Sequence, residues 1–341
     1  MIQQAIYKLL NRENLSLAMT KDVMEEIMGG KATNAQIAGF LTSMRMKGET
    51  IDEITACAMV MRQFGKKLES EGDILDIVGT GGDESNTFNI STISSLVISA
   101  AKIPVAKHGN RSVSSKCGSA DVLEALGVKI DIPVEKSEAI LKEIGLCFLF
   151  APLYHSSMKY AAPVRKELGV RTIFNILGPL ASPAKANLQL LGVYDENLVE
   201  PMARVLVNLG VKRAMVVHGH DGLDEVSLCA RSTVCEVNQG RVNSFFLDPR
   251  QFGFDYCSKE ELVGGAPEEN ARIARRILSG EKGPMRDIVL LNSAVCLYMS
   301  YNDITLRECV KLAARMIDTG KAGQQLEDFI RLSNSPETGT A

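Results

Sequence analysis

Up to residue 72, apolar positions along the chain recur at the three- to four-residue spacing of amphipathic helices. Thr50 and Glu53 have the separation of a capping box, in which each side chain hydrogen-bonds the backbone N–H of the other residue at the start of a helix. Gly48 is a stop signal for the helix before it. The pattern predicts that this part of the chain is entirely helical.

From residue 73, short apolar runs alternate with helical patterns, which is typical of a mostly parallel sheet covered by helices. We therefore expect an α/β fold: a small all-helical N-terminal domain over 1–72, completed by part of 165–185, and a large α/β domain over 73–341 with a mostly parallel central sheet. Strands are predicted at 73–78, 105–107, 147–150, 189–193, 214–218, 233–237 and 241–246. Helices are predicted between them at 90–101, 120–126, 136–144, 198–209 and 267–279, with a last helix from about 305 past 316.

The composition is that of an ordinary globular protein, with 341 residues, 45% hydrophobic and 23% charged. A net charge of −3 lacks the basic excess of a nucleic-acid-binding protein, so a bound anion must be held by local donors. The eight cysteines include no C-x-x-C pair, which favours reduced thiols over a disulfide framework. With no signal-peptide pattern and no apolar run near the about 20 residues that span a membrane, we expect a soluble cytoplasmic protein without membrane partners.

A glycine-rich turn follows the first predicted strand directly, with the sequence GTGGD at 79–83. Glycine N–H groups, unshielded by a Cβ, can converge on an anion, although a purely structural tight turn has the same composition. Glu84 stands where the last glycine of G-x-G-x-x-G would be, and no G-x-x-x-x-G-K-S or G-x-x-x-x-G-K-T is present. These spacings argue against a dinucleotide or P-loop site.

Two more donor-rich segments follow the turn. The sequence NIST at 89–92 opens a predicted helix, whose N-terminal N–H groups and dipole attract anions, with simple N-capping as the alternative. The sequence KHGNR at 107–111 ends the next strand and leads into several serines. Because the carboxyl ends of parallel strands line one crevice, we expect these segments to hold a substrate with two separate phosphate groups.

An acidic loop after the strand at 214–218 contains Asp221, Asp224 and Glu225. Carboxylate oxygens suit a hard cation such as Mg²⁺, and a merely solvated loop is the alternative. His218 and His220 suggest zinc only weakly, because no third soft ligand stands in register.

In this order, GTGGD at 79–83, NIST at 89–92, KHGNR at 107–111 and the acidic pair at 224–225 resemble the anthranilate phosphoribosyltransferase family. The sequences RKELG at 165–169 and NILGPL at 175–180 extend the resemblance to nearly the whole chain. It implies transfer of phosphoribose from phosphoribosyl diphosphate to the amino group of anthranilate, in a cleft between a small helical and a large α/β domain. It also implies Mg²⁺, two ions per site, a homodimer formed through the helical domain, and an anthranilate synthase amidotransferase as a candidate partner.

The resemblance assigns site residues by matching position. Those for phosphoribosyl diphosphate are Gly79, Gly82, Asp83, Thr87, Asn89, Ser91, Thr92, Lys107, Gly109, Asn110, Arg111, Ser112, Ser114, Ser115 and Ser119. Those for anthranilate are Gly79, His108, Asn110, His155, Arg165, Gly178 and Pro179, and those for the metal are Ser91, Asp224 and Glu225. No acid or base is assigned, since the lone pair of a neutral arylamine is already free. Lys107 and Asn110 are expected to act by positioning and electrostatics.

The chain departs from the family at two places. Ser156 and Ser157 stand where Pro-Ala is common, and Ser182 stands where Asn is favoured. Two alternatives share the scaffold. A pyrimidine nucleoside phosphorylase would be expected to lack the Asn110–Arg165 pair and the acidic pair at 224–225. A nucleic-acid-binding relative would need a stripe of basic residues on its surface.

Overall fold

The N-terminal part of the molecule is helical, as the sequence predicts. The computed structural model describes residues 1–112 and 116–336. It begins with four helices: α1 Ile2–Leu10, α2 Leu17–Met28, α3 Asn34–Lys47 and α4 Ile51–Phe64. The capping box of α4 is confirmed, because the Thr50 hydroxyl accepts from the Glu53 N–H while the Glu53 carboxylate accepts from the Thr50 N–H.

A seven-stranded sheet forms the centre of the rest of the described chain. Its strands are β1 Leu75–Gly79, β2 Val105–Gly109, β3 Leu146–Phe150, β4 Leu188–Gly192, β5 Arg213–Gly219, β6 Ser232–Asn238 and β7 Arg241–Leu247. Their order is β3-β2-β1-β4-β5-β6-β7, with β1 to β5 parallel and β6 and β7 antiparallel. The predicted mostly parallel sheet is confirmed, and each strand lies within a few residues of its expected place.

Helices connect and cover the strands. They are α5 Ile90–Ala100, α6 Ser119–Leu126, α7 Val134–Ile144, α8 Ala151–Tyr154, α9 Ala162–Leu168, α10 Phe174–Leu177, α11 Val199–Asn208, α12 Pro267–Leu278, α13 Pro284–Ser300, α14 Leu306–Asp318 and α15 Lys321–Asn334. Short 3₁₀ segments span Ser156–Tyr160, Gly178–Ala181, Glu196–Leu198, Pro249–Phe252 and Lys259–Leu262. None of the described helices is both long and apolar enough to cross a membrane.

Two helical features differ from the expectation. The sequence pattern did not indicate α13, because this helix is buried on most of its sides and so lacks the polar stripe of a surface helix. The predicted last helix is two helices, since α14 ends at Asp318 and Gly320 adopts a left-handed φ of 73° before α15.

The two faces of the sheet pack against different layers. One core joins β1, β2 and β4 to α5 and α13. The other joins β4, β5 and β6 to α11 and to the N-terminal helices. The segment between β3 and β4 contributes to this second layer, because α9 packs on α3 and the 3₁₀ turn Gly178–Ala181 packs on α4. Part of the segment 165–185 therefore packs on the N-terminal helices.

Glu53 connects the N-terminal helices through a buried charge. Its carboxylate accepts hydrogen bonds from the Leu15 N–H at 2.9 Å and the Thr50 N–H at 2.8 Å. The Lys47 ammonium lies 2.8 Å away, with 4% of its side chain exposed and none of that of Glu53. The α1–α2 connection, the end of α3 and the start of α4 therefore depend on one carboxylate.

We expect Glu53→Ala to lower the free energy of unfolding by about 3 kcal/mol or more, because the buried Lys47 ammonium loses its negatively charged partner and the Leu15 and Thr50 N–H groups lose their acceptor. Chemical denaturation monitored by circular dichroism measures this change. The matched control is Glu13→Ala, which removes an exposed pair with Lys8 and should cost at most about 1 kcal/mol. Equal losses in the two variants would contradict the role of the buried carboxylate.

Candidate active site

Two glycines allow an acidic segment to cross the carboxyl ends of the central strands. Gly79 of β1 and Gly192 of β4 are opposite each other in the parallel register. A Cβ at Gly79 would lie 2.3 Å from Asp224 Oδ2, and one at Gly192 would lie 1.5 Å from the Asp224 carbonyl oxygen. Any larger residue at either position would therefore displace Asp224.

The glycine turn bends back toward this carboxylate. Gly81 and Gly82 have φ values of 68° and 76°, in the left-handed region that favours glycine. The Gly81 N–H donates to Asp224 Oδ2 at 2.7 Å. The turn and the acidic loop, which are 143 residues apart in the sequence, thus form one structure.

Arg171 supports the other side of the turn and was not among the predicted site residues. Its guanidinium donates to the Gly82 carbonyl and lies 4.2 Å from the centroid of the Tyr194 ring. The two partners of this hydrogen bond are 89 residues apart, so no local sequence pattern indicates it.

The carboxylates of Asp83, Asp224 and Glu225 lie near enough to one another beside the turn to repel each other electrostatically. Burial, and then the charge of Asp83, raises the pKa of Asp224 to about 7. Burial, and then the charge of Asp224, raises the pKa of Glu225 to about 8. Such mutual repulsion is relieved when a cation binds between the carboxylates.

Lys107, Ser91 and Glu225 come together at the N-terminus of α5. The buried Lys107 ammonium donates to the Ile77 carbonyl at 2.7 Å and to the Ser91 hydroxyl at 3.0 Å, and Ser91 is also hydrogen-bonded to Glu225. Burial lowers the pKa of Lys107, against the opposing effect of nearby carboxylates. On the same helical turn, the Thr92 hydroxyl is buried without a hydrogen-bond partner in the described part of the protein.

The loop after β2 closes tightly on the start of α6. A Cβ at Gly109 would lie 2.3 Å from Ser119 Oγ, and the Ser119 hydroxyl donates to the Asn110 carbonyl at 3.3 Å. The Ser112 N–H donates to Asp121 of α6. Ser114 and Ser115, which the resemblance also assigns to phosphoribosyl diphosphate, lie outside the described residues.

Three residues that the resemblance assigns to phosphoribosyl diphosphate contact other residues of the protein in this structure. The Arg111 guanidinium is paired with Asp121 at 3.0 Å and with Glu124, both on α6. Asn89 donates to the Cys117 carbonyl at 3.0 Å and accepts from Asn270 at 2.9 Å. Thr87 forms an isolated antiparallel bridge with Val263. In this conformation these residues hold loops together, and sequence order alone could not reveal their partners.

A second group of predicted residues forms the wall on the opposite side of the sheet. The rings of His108 and His155 lie 5.2 Å apart, and His108 is hydrogen-bonded to the backbone of Gly178, next to the buried Pro179. Burial lowers the pKa of His108 to about 3 and also lowers that of His155, so both imidazoles are neutral at neutral pH. Such a wall suits a flat, weakly polar ring.

Arg165 lies on α9 and is largely buried. Its guanidinium carbon is 5.3 Å from the centroid of the Phe174 ring, and burial lowers its pKa. A planar cation fixed over an aromatic ring is suited to recognise a carboxylate through two parallel hydrogen bonds.

The zinc interpretation finds no support in the geometry. The His218 ring nitrogen is bonded to the Val193 carbonyl at 2.8 Å and the His220 ring nitrogen to the Thr233 hydroxyl at 2.8 Å. Among the described residues, no three His, Cys, Asp or Glu side chains are grouped closely enough to enclose a metal ion by themselves. The described cysteines are free thiols.

The fold and this cleft define a glycosyl transferase. The model of the helical bundle domain of the glycosyl transferase family matches residues 3–65, and that of its a/b domain matches residues 71–323. The anthranilate phosphoribosyltransferase of Ruminiclostridium cellulolyticum is 71% identical, with 98% of each chain covered. That of Endomicrobium trichonymphae is 66% identical, covering 98% of this chain and 99% of the relative.

Solved structures agree. The anthranilate phosphoribosyltransferase of Thermus thermophilus has a TM-score of 0.92 at 41% identity, covering 97% of this chain and 99% of that chain. The Saccharomyces cerevisiae enzyme in complex with PRPP and Mg has a TM-score of 0.89 at 30% identity, covering 98% of both chains. The chain belongs to the anthranilate phosphoribosyltransferase family. This membership confirms the predicted family and does not fit the nucleoside phosphorylase or nucleic-acid-binding alternatives.

We expect Gly79→Ala to weaken binding of phosphoribosyl diphosphate by at least about tenfold, because the added methyl group displaces the Asp224 carboxylate. Isothermal titration calorimetry measures the affinity, and circular dichroism verifies the fold. The control is Gly323→Ala, where the nearest atom to the new Cβ is 3.7 Å away. Wild-type affinity in Gly79→Ala would show that the close approach is unimportant for binding.

The ligand-free protein should become less stable as the pH rises from about 6.5 to about 8.5. Asp224 and Glu225 keep their protons in the folded protein up to pH values of about 7 and about 8. In the unfolded chain they lose them near pH 4, so the folded state binds more protons and its stability falls until both carboxyls are ionised. Below this window the trend is offset by His108 and His155, whose lowered pKa values in the folded state make the protein more stable as the pH rises toward the unfolded value near 6.5.

Differential scanning calorimetry in metal-free buffer measures this dependence as a falling Tm. The variant with both Asp224→Asn and Glu225→Gln should show a smaller fall across the same range. Parallel profiles for the variant and the wild type would exclude these carboxyls as the cause.

Proposed function

We propose that this chain transfers the phosphoribosyl group from 5-phosphoribosyl 1-diphosphate to the amine of anthranilate. The products are diphosphate and N-(5-phosphoribosyl)anthranilate, an intermediate of tryptophan biosynthesis, and we expect the reaction in the cytoplasm. The observation that carries the proposal is the joining of the glycine turn to Asp224, beside Glu225, Ser91 and Lys107, at the carboxyl edge of the sheet. This arrangement offers anion donors and metal-binding oxygens in one crevice.

The donor binds, in this proposal, with its phosphates between the glycine turn and the N-terminus of α5. The backbone N–H groups of Gly82 and Asp83, the first-turn residues Ser91 and Thr92, and the loop at 107–119 are its candidate contacts. The unpartnered Thr92 hydroxyl supports this assignment, because a buried polar atom without a partner is costly unless a ligand satisfies it.

The residues present fit Mg²⁺. Asp224, Glu225 and the Ser91 hydroxyl are hard oxygen ligands, and the raised pKa values of both carboxyls reflect a shortage of positive charge. Mg²⁺ usually keeps several waters and shares the phosphates of a substrate, so the diphosphate and water would complete the coordination. When bound, Mg²⁺ would neutralise negative charge that develops on the departing diphosphate. We propose two ions per site.

Anthranilate lies, in this proposal, against Gly79, His108, Asn110, His155, Gly178 and Pro179, with its carboxylate on Arg165. The neutral imidazoles leave the amine unprotonated and present flat, weakly polar surfaces to its ring. No residue needs to remove a proton before attack, because an arylamine near pH 7 already has a free lone pair. After the C–N bond forms, the proton of the amine leaves to solvent or to the diphosphate.

Displacement at the anomeric carbon builds positive charge on the sugar and negative charge on the leaving group. Lys107 lies in the crevice as a fixed cation, which stabilises charge without reorganisation during the reaction. Holding donor and acceptor in line supplies the remaining rate, an effect that reaches about 7–11 kcal/mol in well-oriented systems.

We further propose that residues 1–72, with part of 165–185, form the helical domain and that two copies of the chain pair through it. Tyr7, Leu10 and Met46 support a surface of this kind, since these apolar side chains of α1 and α3 are 70%, 68% and 76% exposed. An anthranilate synthase amidotransferase is a further candidate partner.

The direct test of the reaction is an assay of the full chain with phosphoribosyl diphosphate, Mg²⁺ and anthranilate. We expect the fluorescence of anthranilate to decrease with time, and one diphosphate to be released per anthranilate consumed. An unchanged signal, together with phosphate-dependent cleavage of a pyrimidine nucleoside, would replace the proposal with the phosphorylase alternative.

Arg165→Ala should raise the KM for anthranilate by about tenfold or more while leaving the KM for the donor nearly unchanged, because only the acceptor loses a charged hydrogen-bond partner. Steady-state kinetics with each substrate varied in turn measures both constants. Lys166→Ala, one position along α9 and exposed, is the matched control and should behave as the wild type. If the donor KM rises instead, Arg165 belongs to the diphosphate site.

A further inference from the structure

Two buried polar side chains lie next to each other in the middle of the sheet. Asp76 of β1 and Gln189 of β4 are opposite in the parallel register, and they are 0% and 1% exposed. Their neighbours Leu75, Ile77 and Leu190 belong to the core on one face, so both polar side chains point to the other face. Central parallel strands are normally apolar throughout, which makes this pair an exception that requires a role.

Asp76 holds the end of the neighbouring strand. Strands β1 and β2 are paired only at Leu75 and Val105, and beyond that point the Asp76 carboxylate accepts the His108 N–H at 3.1 Å. The Asp76 side chain thus accepts the His108 N–H in place of a backbone carbonyl of β1. His108 is the residue at which the imidazole wall begins.

Gln189 holds the opposite part of the same wall. Its Nε2 donates to the Pro179 carbonyl at 2.7 Å, in a contact that is buried on both sides. The Gly178 backbone, one residue earlier, is hydrogen-bonded to His108. Two adjacent strands are therefore joined to one wall. The contacts that join them run from Asp76 to His108, from His108 to Gly178 and from Pro179 to Gln189.

We propose that Asp76 and Gln189 are positioning residues for the acceptor: together they fix the separation between His108 and the turn at Pro179, and so the width of the slot that takes the aromatic ring. The inference rests on the proposed function, because it assigns anthranilate to this wall. The hydrogen bond of Gln189 lies on the acceptor wall, whereas the Asp76 carboxylate also interacts electrostatically with Lys107 of the donor site. Gln189 therefore gives the more selective test of the acceptor role.

The role is distinct from ordinary core stability. Among the described residues, the second carboxylate oxygen of Asp76 is buried and has no hydrogen-bond partner, a cost that an apolar residue would avoid. A strand with Val and Leu at these positions would pack without such an orphan atom, but it would leave the His108 N–H and the Pro179 carbonyl unfixed.

The experiment is Gln189→Met, which keeps the length of the side chain and removes its donor. We expect the KM for anthranilate to rise about five- to tenfold, with the KM for phosphoribosyl diphosphate within about twofold of the wild type. The matched control is Gln325→Met, because Gln325 is also a buried glutamine that donates to a backbone carbonyl, that of Ile144 at 2.6 Å. The control should lose comparable stability without a change in either KM.

The possible results distinguish a failure of the proposed function from a failure of the positioning role. If the wild-type chain does not consume anthranilate, the proposed function fails before any variant is compared. If the wild type is active and Gln189→Met changes both KM values equally, or neither, the positioning role is wrong.

Asp76 provides an independent arm that also decides the matter if Gln189→Met does not fold. Asp76→Asn retains an oxygen that accepts the His108 N–H and should keep the KM for anthranilate within about twofold of the wild type, whereas Asp76→Val should raise it about tenfold. Both variants remove the charge that acts on Lys107, so any change in the donor KM should be the same in the two. Equal KM values for anthranilate in the two variants would overturn the proposal.

Discussion

The close approach of Asp224 to the ends of β1 and β4 is the constraint on which the rest of the site depends. It is possible only because Gly79 and Gly192 are opposite each other, without a Cβ to occupy the space. The approach brings the acidic loop after β5 onto the glycine turn after β1, where the Gly81 N–H fixes it. The parallel order of the strands then determines that the start of α5 and the end of β2 face the same crevice.

The buried charges of this crevice favour the binding of a ligand. Asp83, Asp224 and Glu225 share one region with a single buried cation, Lys107, and burial raises the pKa of two of the carboxyls to near or above neutrality. The folded chain therefore carries an electrostatic cost that metal ions and a diphosphate would relieve together. On the other face of the sheet, the neutral imidazoles of His108 and His155 and the hydrogen-bonded turn at Pro179 form a second wall, to which the Asp76 carboxylate and the Arg165 guanidinium add charge.

The sequence predicted much of this because the strong signals are local. Short apolar runs indicated the strands, apolar positions at three- to four-residue spacing indicated most helices, and the order of GTGGD, NIST and KHGNR indicated the family. Buried helix α13 was missed because it lacks a polar stripe. Contacts between distant segments were beyond the reach of any pattern, including Arg171 on the Gly82 carbonyl and the capture of Arg111 by α6. Asp76 and Gln189 appear in the sequence only as single polar residues within apolar runs, and their meaning depends on the strand register.

The central claim is that the glycine turn, α5 and the acidic loop form one donor site completed by a divalent cation. Isothermal titration of the full chain with phosphoribosyl diphosphate, once with Mg²⁺ and once with a chelator, tests it most directly. The account predicts measurable binding with Mg²⁺ and an affinity at least about tenfold weaker without it. Equal affinity under both conditions would contradict the claim, since the acidic loop would then repel the diphosphate instead of helping to hold it.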